Sequence, residues 1–147
     1  NMKIQLIGFI DELPEATKSI VLKAVEDTKN NTGMVLTFAL NYGSRAEIIE
    51  ATKAISTLVK QGELEIENID EAIFESHLQT QFLGELQNPD LMIRTSGEVR
   101  LSNFLLWQLA YSEYYFTDIF WPDFSEEDLH KAIQTYQSRH RRYGGLA

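Results

Sequence analysis

The chain has 147 residues, no cysteine, and 13 Lys and Arg against 22 Asp and Glu, a formal net charge of −9. Its length and its 44% hydrophobic and 24% charged content suit one compact domain, 1–147, and argue against disorder. The acidic balance disfavours nucleic acid as a partner, the lack of cysteine removes disulfides, thiolate metal sites and cysteine nucleophiles, and no apolar run approaches the ~18–20 residues of a membrane span, so a cytoplasmic location is expected.

The chain opens Asn1-Met2 and runs at once into Lys3–Ile7, a short apolar strand ending at Gly8, which reads as a piece of something longer. Pro14 is suited to a first helical turn, and Ile20, Val21, Ala24 and Val25 form an apolar stripe that Asn30-Asn31-Thr32-Gly33 stops. Met34–Leu40 is almost unbroken in apolarity, as expected of a parallel strand buried on both faces. Ser44-Arg45-Ala46-Glu47 has the spacing of a capping box and opens a helix whose core stripe is Ile48, Ala51, Ile55, Leu58 and Val59. Asp70 caps a shorter helix carrying Ile73, Phe74 and Leu78, with Phe82 a further candidate.

Asn88-Pro89-Asp90 is a turn delivering the short strand Leu91-Met92-Ile93. A loop over 94–101 follows, then a strongly apolar helix expected from Ser102 to about Ser112. Tyr115-Phe116 adds a last strand, Trp121-Pro122-Asp123 turns, and Ser125-Glu126-Glu127-Asp128 is a second capping-box pattern. It opens a helix with Leu129, Ala132, Ile133 and Tyr136 on one face. Alternating strands and helices predict an α/β fold with a mostly parallel sheet flanked by helices. With three or four strands that sheet is thin, which points to further strands upstream.

GxGxxG, GxxxxGK[ST], GxSxG and HExxH are all absent, and His77, His130 and His140 are too scattered for a metal site. The informative stretch is Arg94-Thr95-Ser96-Gly97-Glu98-Val99-Arg100-Leu101-Ser102-Asn103. It follows a buried strand, at the carboxyl end of the sheet where open α/β folds bind ligands. Two arginines offer planar forks for phosphate oxygens, and a Ser102 at a helix N-terminus would add free N–H groups and the positive dipole end. These parts describe a phosphate or pyrophosphate site; the alternative is a solvated loop whose arginines pair with surface carboxylates.

Glu113 is the second unusual residue, a carboxylate among aromatic neighbours that needs a cation or hydrogen-bond donors to offset its desolvation. Mg²⁺ on a pyrophosphate would serve, and so would a partly exposed ion pair. An unbroken helix would hold Ser102 and Glu113 ~16 Å apart, so either the helix breaks or Glu113 serves a site built from other elements. The tail Arg139-His140-Arg141-Arg142-Tyr143-Gly144-Gly145 is the chain's only basic cluster. It either complements a helix dipole or lies against an anion or a partner chain.

Asp90-Leu91-Met92-Ile93-Arg94-Thr95-Ser96-Gly97-Glu98, followed by Arg100 through Gln108, Tyr111 and Glu113, resembles the last signature of the cis-prenyltransferases. Asn41-Tyr42-Gly43-Ser44-Arg45 with Glu47-Ile48 resembles the preceding one, and Phe116-Thr117-Asp118 with Trp121-Pro122-Asp123-Phe124 is also typical. The resemblance implies a homodimeric, Mg²⁺-dependent transferase that condenses isopentenyl diphosphate with farnesyl diphosphate by Z-configured additions. In bacteria the product is undecaprenyl diphosphate, the lipid-carrier precursor for cell-wall peptidoglycan, whose release implies a peripheral membrane contact. By position, Arg94, Arg100 and Ser102 would hold the isopentenyl diphosphate pyrophosphate, with Leu101 adding contacts. Glu113 would bind Mg²⁺, and Arg142-Tyr143-Gly144 resembles an Arg-x-Gly element, so that Arg142 and Gly144 would also meet substrate.

Ser44 stands where many members have Gly, and Val99 where some have His. The Asp-Gly-Asn-Gly-Arg and Glu-Asn-Trp-x-Arg-Pro signatures, with the family's essential Asp and Asn, do not occur in the chain. The resemblance therefore implies the carboxy-terminal part of a catalytic domain, inactive by itself. The alternative is a non-catalytic subunit that binds pyrophosphate or a partner.

Overall fold

A computed structural model describes residues 1–138, and these fall into two compact units divided after Gly84. The basic tail, with Arg142 and Gly144, lies outside the described residues.

The first unit begins with strand β1, Lys3–Ile7, which pairs in parallel with β2, Val35–Ala39, from Lys3 opposite Val35 to Ile7 opposite Ala39. Helix α1, Glu15–Thr28, makes the crossover that a parallel pair requires, and starts directly after Pro14. Its last residue ties it to the sheet: the Thr28 hydroxyl accepts the Ile4 N–H at 3.0 Å and donates to the Ala24 carbonyl at 2.7 Å. Val21, Ala24 and Val25 face inward as expected, whereas Ile20 is 70% exposed and does not belong to the stripe. Strand β2 is shorter and less covered than its composition predicts. It bonds to β1 along one edge, and Val35 and Phe38 remain 40% and 44% exposed.

Helix α2, Ser44–Gln61, buries Ala51 and Ile55 from the predicted stripe, together with Ser44 and Glu47. Gly62, at φ 72°, closes it: the Glu63 N–H reaches the Leu58 carbonyl and the Gly62 N–H that of Val59, a Schellman ending. The predicted capping box at its start does not form around Ser44. Gly43 is the N-cap, and Glu47 turns its carboxylate to other partners. Helix α3, Glu71–Glu75, has the predicted cap, with Asp70 Oδ1 accepting the Ile73 N–H at 2.8 Å. Leu78, just beyond it, is fully buried.

The second unit holds strand β3, Leu91–Arg94, parallel to β4, Glu113–Phe116, and helix α4, Glu126–Ser138, packed on β4. The capping box at Ser125 is present in full: its hydroxyl accepts the Asp128 N–H at 3.3 Å and its own N–H donates to Asp128 Oδ2 at 3.1 Å, with a further bond from the hydroxyl to that oxygen at 2.6 Å. The helix expected over 102–112 is not there. Ser102, Asn103 and Leu105 take φ of 50°, 65° and 43°, which no right-handed helix admits, and the segment is a run of tight turns. Leu105, Gln108 and Leu109 are still buried, so the apolar spacing marks inward-facing positions without a helix to carry them. Among the described residues no helix is long and apolar enough to cross a membrane.

Candidate functional site

Strand β3 ends at Arg94, and the chain beyond it is fastened to the continuation of β4. The Thr117 N–H donates to the Arg94 carbonyl at 3.0 Å, the Ser96 N–H to Ile119 at 2.8 Å and the Gly97 N–H to Thr117 at 2.9 Å. Gly97 takes φ 68°, and a Cβ there would sit 3.0 Å from Asp118 Oδ1. Glycine lets the two segments close on one another.

The loop then folds back over the strand end. Arg94 Nη1 donates to the Arg100 carbonyl, and Nη1 and Nη2 each lie 3.3 Å from the Ser102 hydroxyl. Positive φ at Ser102 and Asn103 makes this reversal within two residues. Ser102 therefore reaches the cluster from a left-handed turn, not from a helix N-terminus, and the dipole expected there contributes nothing. Arg100 pairs with Glu98, the two side chains being 62% and 40% exposed. A cleft of about 230 Å³ opens beside them, lined by Met92, Ile93, Arg94, Arg100, Leu101 and Phe104.

The structure thus brings together four predicted residues, Arg94, Arg100, Leu101 and Ser102, and adds Met92 and Phe104 as apolar lining and Glu98 as a counter-ion. Phe104, part of the signature-like stretch, was expected in a helix; the turns that bring it to the cleft follow from backbone angles that apolar spacing does not report. Chemically, this is a cationic rim on an apolar wall. Two guanidinium groups present planar forks suited to phosphate oxygens, and Arg94 has more N–H donors than its two acceptors use.

Glu113 is not part of this cluster within the unit. In the β3–β4 register Leu91 faces Glu113 and Arg94 faces Phe116, so Glu113 stands at the start of the ladder and Arg94 at its end, three residue steps or ~10 Å away. Alternation also places them on opposite faces of the two strands. Glu113 is half-buried, and its N–H donates to the Asp90 carbonyl at 2.9 Å. No cluster of three or more His, Asp or Glu that could hold a metal ion occurs among the described residues. A single carboxylate fits Mg²⁺ where phosphate and water oxygens complete the shell.

At the carboxyl end of β1 and β2 lies a second polar centre. Glu47, 1% exposed, accepts the Tyr42 hydroxyl at 2.5 Å and the Gln79 N–H at 2.8 Å, while Gln79 Oε1 accepts the Gly8 N–H at 2.5 Å. The sequence presented Glu47 as the end of a capping box and within a segment that resembles a family signature, and neither reading gives it these partners.

The family model described as "Putative undecaprenyl diphosphate synthase" matches residues 1–144. An isoprenyl transferase of Halalkalibacterium halodurans is 54% identical over 146 residues, covering 99% of this chain and 56% of the relative. A ditrans,polycis-undecaprenyl-diphosphate synthase, (2E,6E)-farnesyl-diphosphate specific, of Micrococcus luteus is 55% identical over 146 residues, covering 99% and 57%. The crystal structure of lavandulyl diphosphate synthase from Lavandula x intermedia, in complex with dimethylallyl diphosphate, is similar with a TM-score of 0.94 at 42% identity, covering 98% of this chain and 61% of that one. The chain thus spans little more than half the length of the curated relatives it matches. It belongs to the undecaprenyl diphosphate synthase family of cis-prenyltransferases.

Proposed function

We propose that this chain carries the isopentenyl diphosphate half-site of an enzyme that condenses isopentenyl diphosphate with farnesyl diphosphate. The product of repeated condensation is undecaprenyl diphosphate, the lipid-carrier precursor for cell-wall synthesis. The observation that carries this reading is the cleft at the end of β3, where two arginines and Ser102 meet an apolar wall.

In this reading Arg94 and Arg100 bind and orient the diphosphate, Ser102 holds the Arg94 fork in place, and Leu101, Met92 and Phe104 keep water from the hydrocarbon end. Positioning of this kind lowers the barrier by removing translational and rotational freedom before reaction. Mg²⁺ is the proposed cofactor, with Glu113 giving one oxygen ligand and the rest coming from outside the unit. When bound, it supplies charge neutralisation at phosphate oxygens. Arg142 and Gly144 are proposed to approach the substrate, the enzyme is proposed to be a cytoplasmic homodimer, and product release involves the membrane surface.

The essential Asp and Asn of the family's other signatures do not occur in the chain, so the isolated 147 residues bind isopentenyl diphosphate without elongating farnesyl diphosphate. The test pairs equilibrium binding of isopentenyl diphosphate with an elongation assay containing Mg²⁺. Elongation by the purified chain would refute the division of labour, and failure to bind would refute the half-site.

A further inference from the structure

The two arginines of the cleft are held by different kinds of partner. Arg94 donates to neutral acceptors, the Arg100 carbonyl and the Ser102 hydroxyl, and keeps its charge uncompensated by them. Arg100 is paired with the Glu98 carboxylate. Both members of that pair are solvated, with side chains 62% and 40% exposed. Exposed pairs of this kind are weakly held and easily exchanged.

The backbone around Glu98 is fixed. Gly97 is bonded to Thr117, and the Arg100 carbonyl accepts from Arg94. Only side-chain rotation is needed for Glu98 to leave the Arg100 fork.

We propose that Glu98 is a specificity-determining residue of this cleft, acting as an internal carboxylate that competes with the bound diphosphate for Arg100. The inference rests on the diphosphate reading of the cleft. A ligand must then outbid a carboxylate already seated on the guanidinium, which a multiply charged diphosphate does and a singly charged anion does not. Anion affinity is set by this competition, and the site discounts the monoanions that surround it in solution.

The experiment titrates inorganic pyrophosphate into the 147-residue chain by calorimetry, with far-UV circular dichroism confirming that each variant is folded. Glu98→Gln keeps the shape and removes the charge; it should tighten binding by about 1.4- to fivefold, the range an exposed ion pair spans. Glu98→Ala should move affinity in the same direction. In an Arg100→Ala background the Glu98→Gln gain should vanish, because the group competed for is gone.

Unchanged or weaker binding in Glu98→Gln would overturn the proposal, showing that Glu98 props Arg100 rather than rivals the ligand. An equal gain with and without Arg100 would also overturn it, as simple repulsion through space. Arg94→Ala tests the underlying reading separately. If the unaltered chain binds pyrophosphate and Arg94→Ala abolishes it, the cleft stands whatever Glu98 does. If the unaltered chain does not bind, the reading of the cleft falls and the competition falls with it.

Discussion

Arg94 and Glu113 occupy the same two-stranded ladder yet stand at its opposite ends and on its opposite faces, separated by three register steps. The anion-binding and cation-binding tasks assigned to them are therefore separable. In metal-free buffer, Arg94→Ala should weaken isopentenyl diphosphate binding by about 1.5–3 kcal/mol, the worth of a charged hydrogen bond. Arg100→Ala should cost less, its side chain being 62% exposed. Glu113→Gln should leave metal-free binding within about twofold, while removing any strengthening that Mg²⁺ confers. Calorimetry with and without chelator checks all three, and a large metal-free loss in Glu113→Gln would contradict the separation.

Glu47 holds three segments of the first unit through Tyr42 and Gln79, and Gln79 in turn holds Gly8. Glu47→Ala takes this acceptor from the part-buried Gln79 N–H and Tyr42 hydroxyl, and should lower stability by about 2–3 kcal/mol. Tyr42→Phe removes one donor only and should cost about 1 kcal/mol. Urea unfolding distinguishes them; equal midpoints would mean that the Gln79 bond contributes little.

Gly8 and Gly62 both take positive φ, 116° and 72°, but their surroundings differ. A Cβ on Gly8 would lie 1.9 Å from the Leu40 carbonyl oxygen, whereas one on Gly62 would meet nothing within 4 Å. Gly62→Ala should cost about 1 kcal/mol, for its left-handed backbone alone. Gly8→Ala must also part the ends of β1 and β2, and should cost about 3 kcal/mol or prevent folding. Thermal unfolding of the two variants side by side gives the comparison.

Asp128 is held below the usual carboxylate range, first by the Ser125 hydroxyl and backbone N–H that donate to it, and further by Lys131. A folded-state pKa below the ordinary 3.8 means stability that is fully present above about that pH and is lost as pH falls through the depressed value. Ser125→Ala should therefore unfold more easily than the unaltered chain at neutral pH. The gap should narrow as pH falls below about 4. A gap that widened on acidification would show that the hydroxyl bonds the protonated form instead.

Much of the fold was legible because local chemistry and packing agree. Pro14, Asp70 and the Ser125–Asp128 box place helix starts where the structure has them. The arginine loop was legible from its residue types. What misled was apolar spacing taken as backbone. From Phe104 to Leu109 the side chains repeat like a helix face, yet Ser102, Asn103 and Leu105 adopt left-handed angles that only the surrounding structure enforces. Glu47 misled differently: its capping-box spacing is real, but a phenol 2.5 Å away and a part-buried amide from a distant segment take its oxygens instead. Partners from distant sequence are the kind that no local pattern encodes.

The bonds from Ser96 and Gly97 to Ile119 and Thr117 fix the arginine loop during folding. Its backbone ordering entropy is lost then, rather than when a ligand arrives. Capture of the proposed diphosphate would accordingly be docking onto a formed surface, with an association rate set by diffusion and charge and not by loop closure.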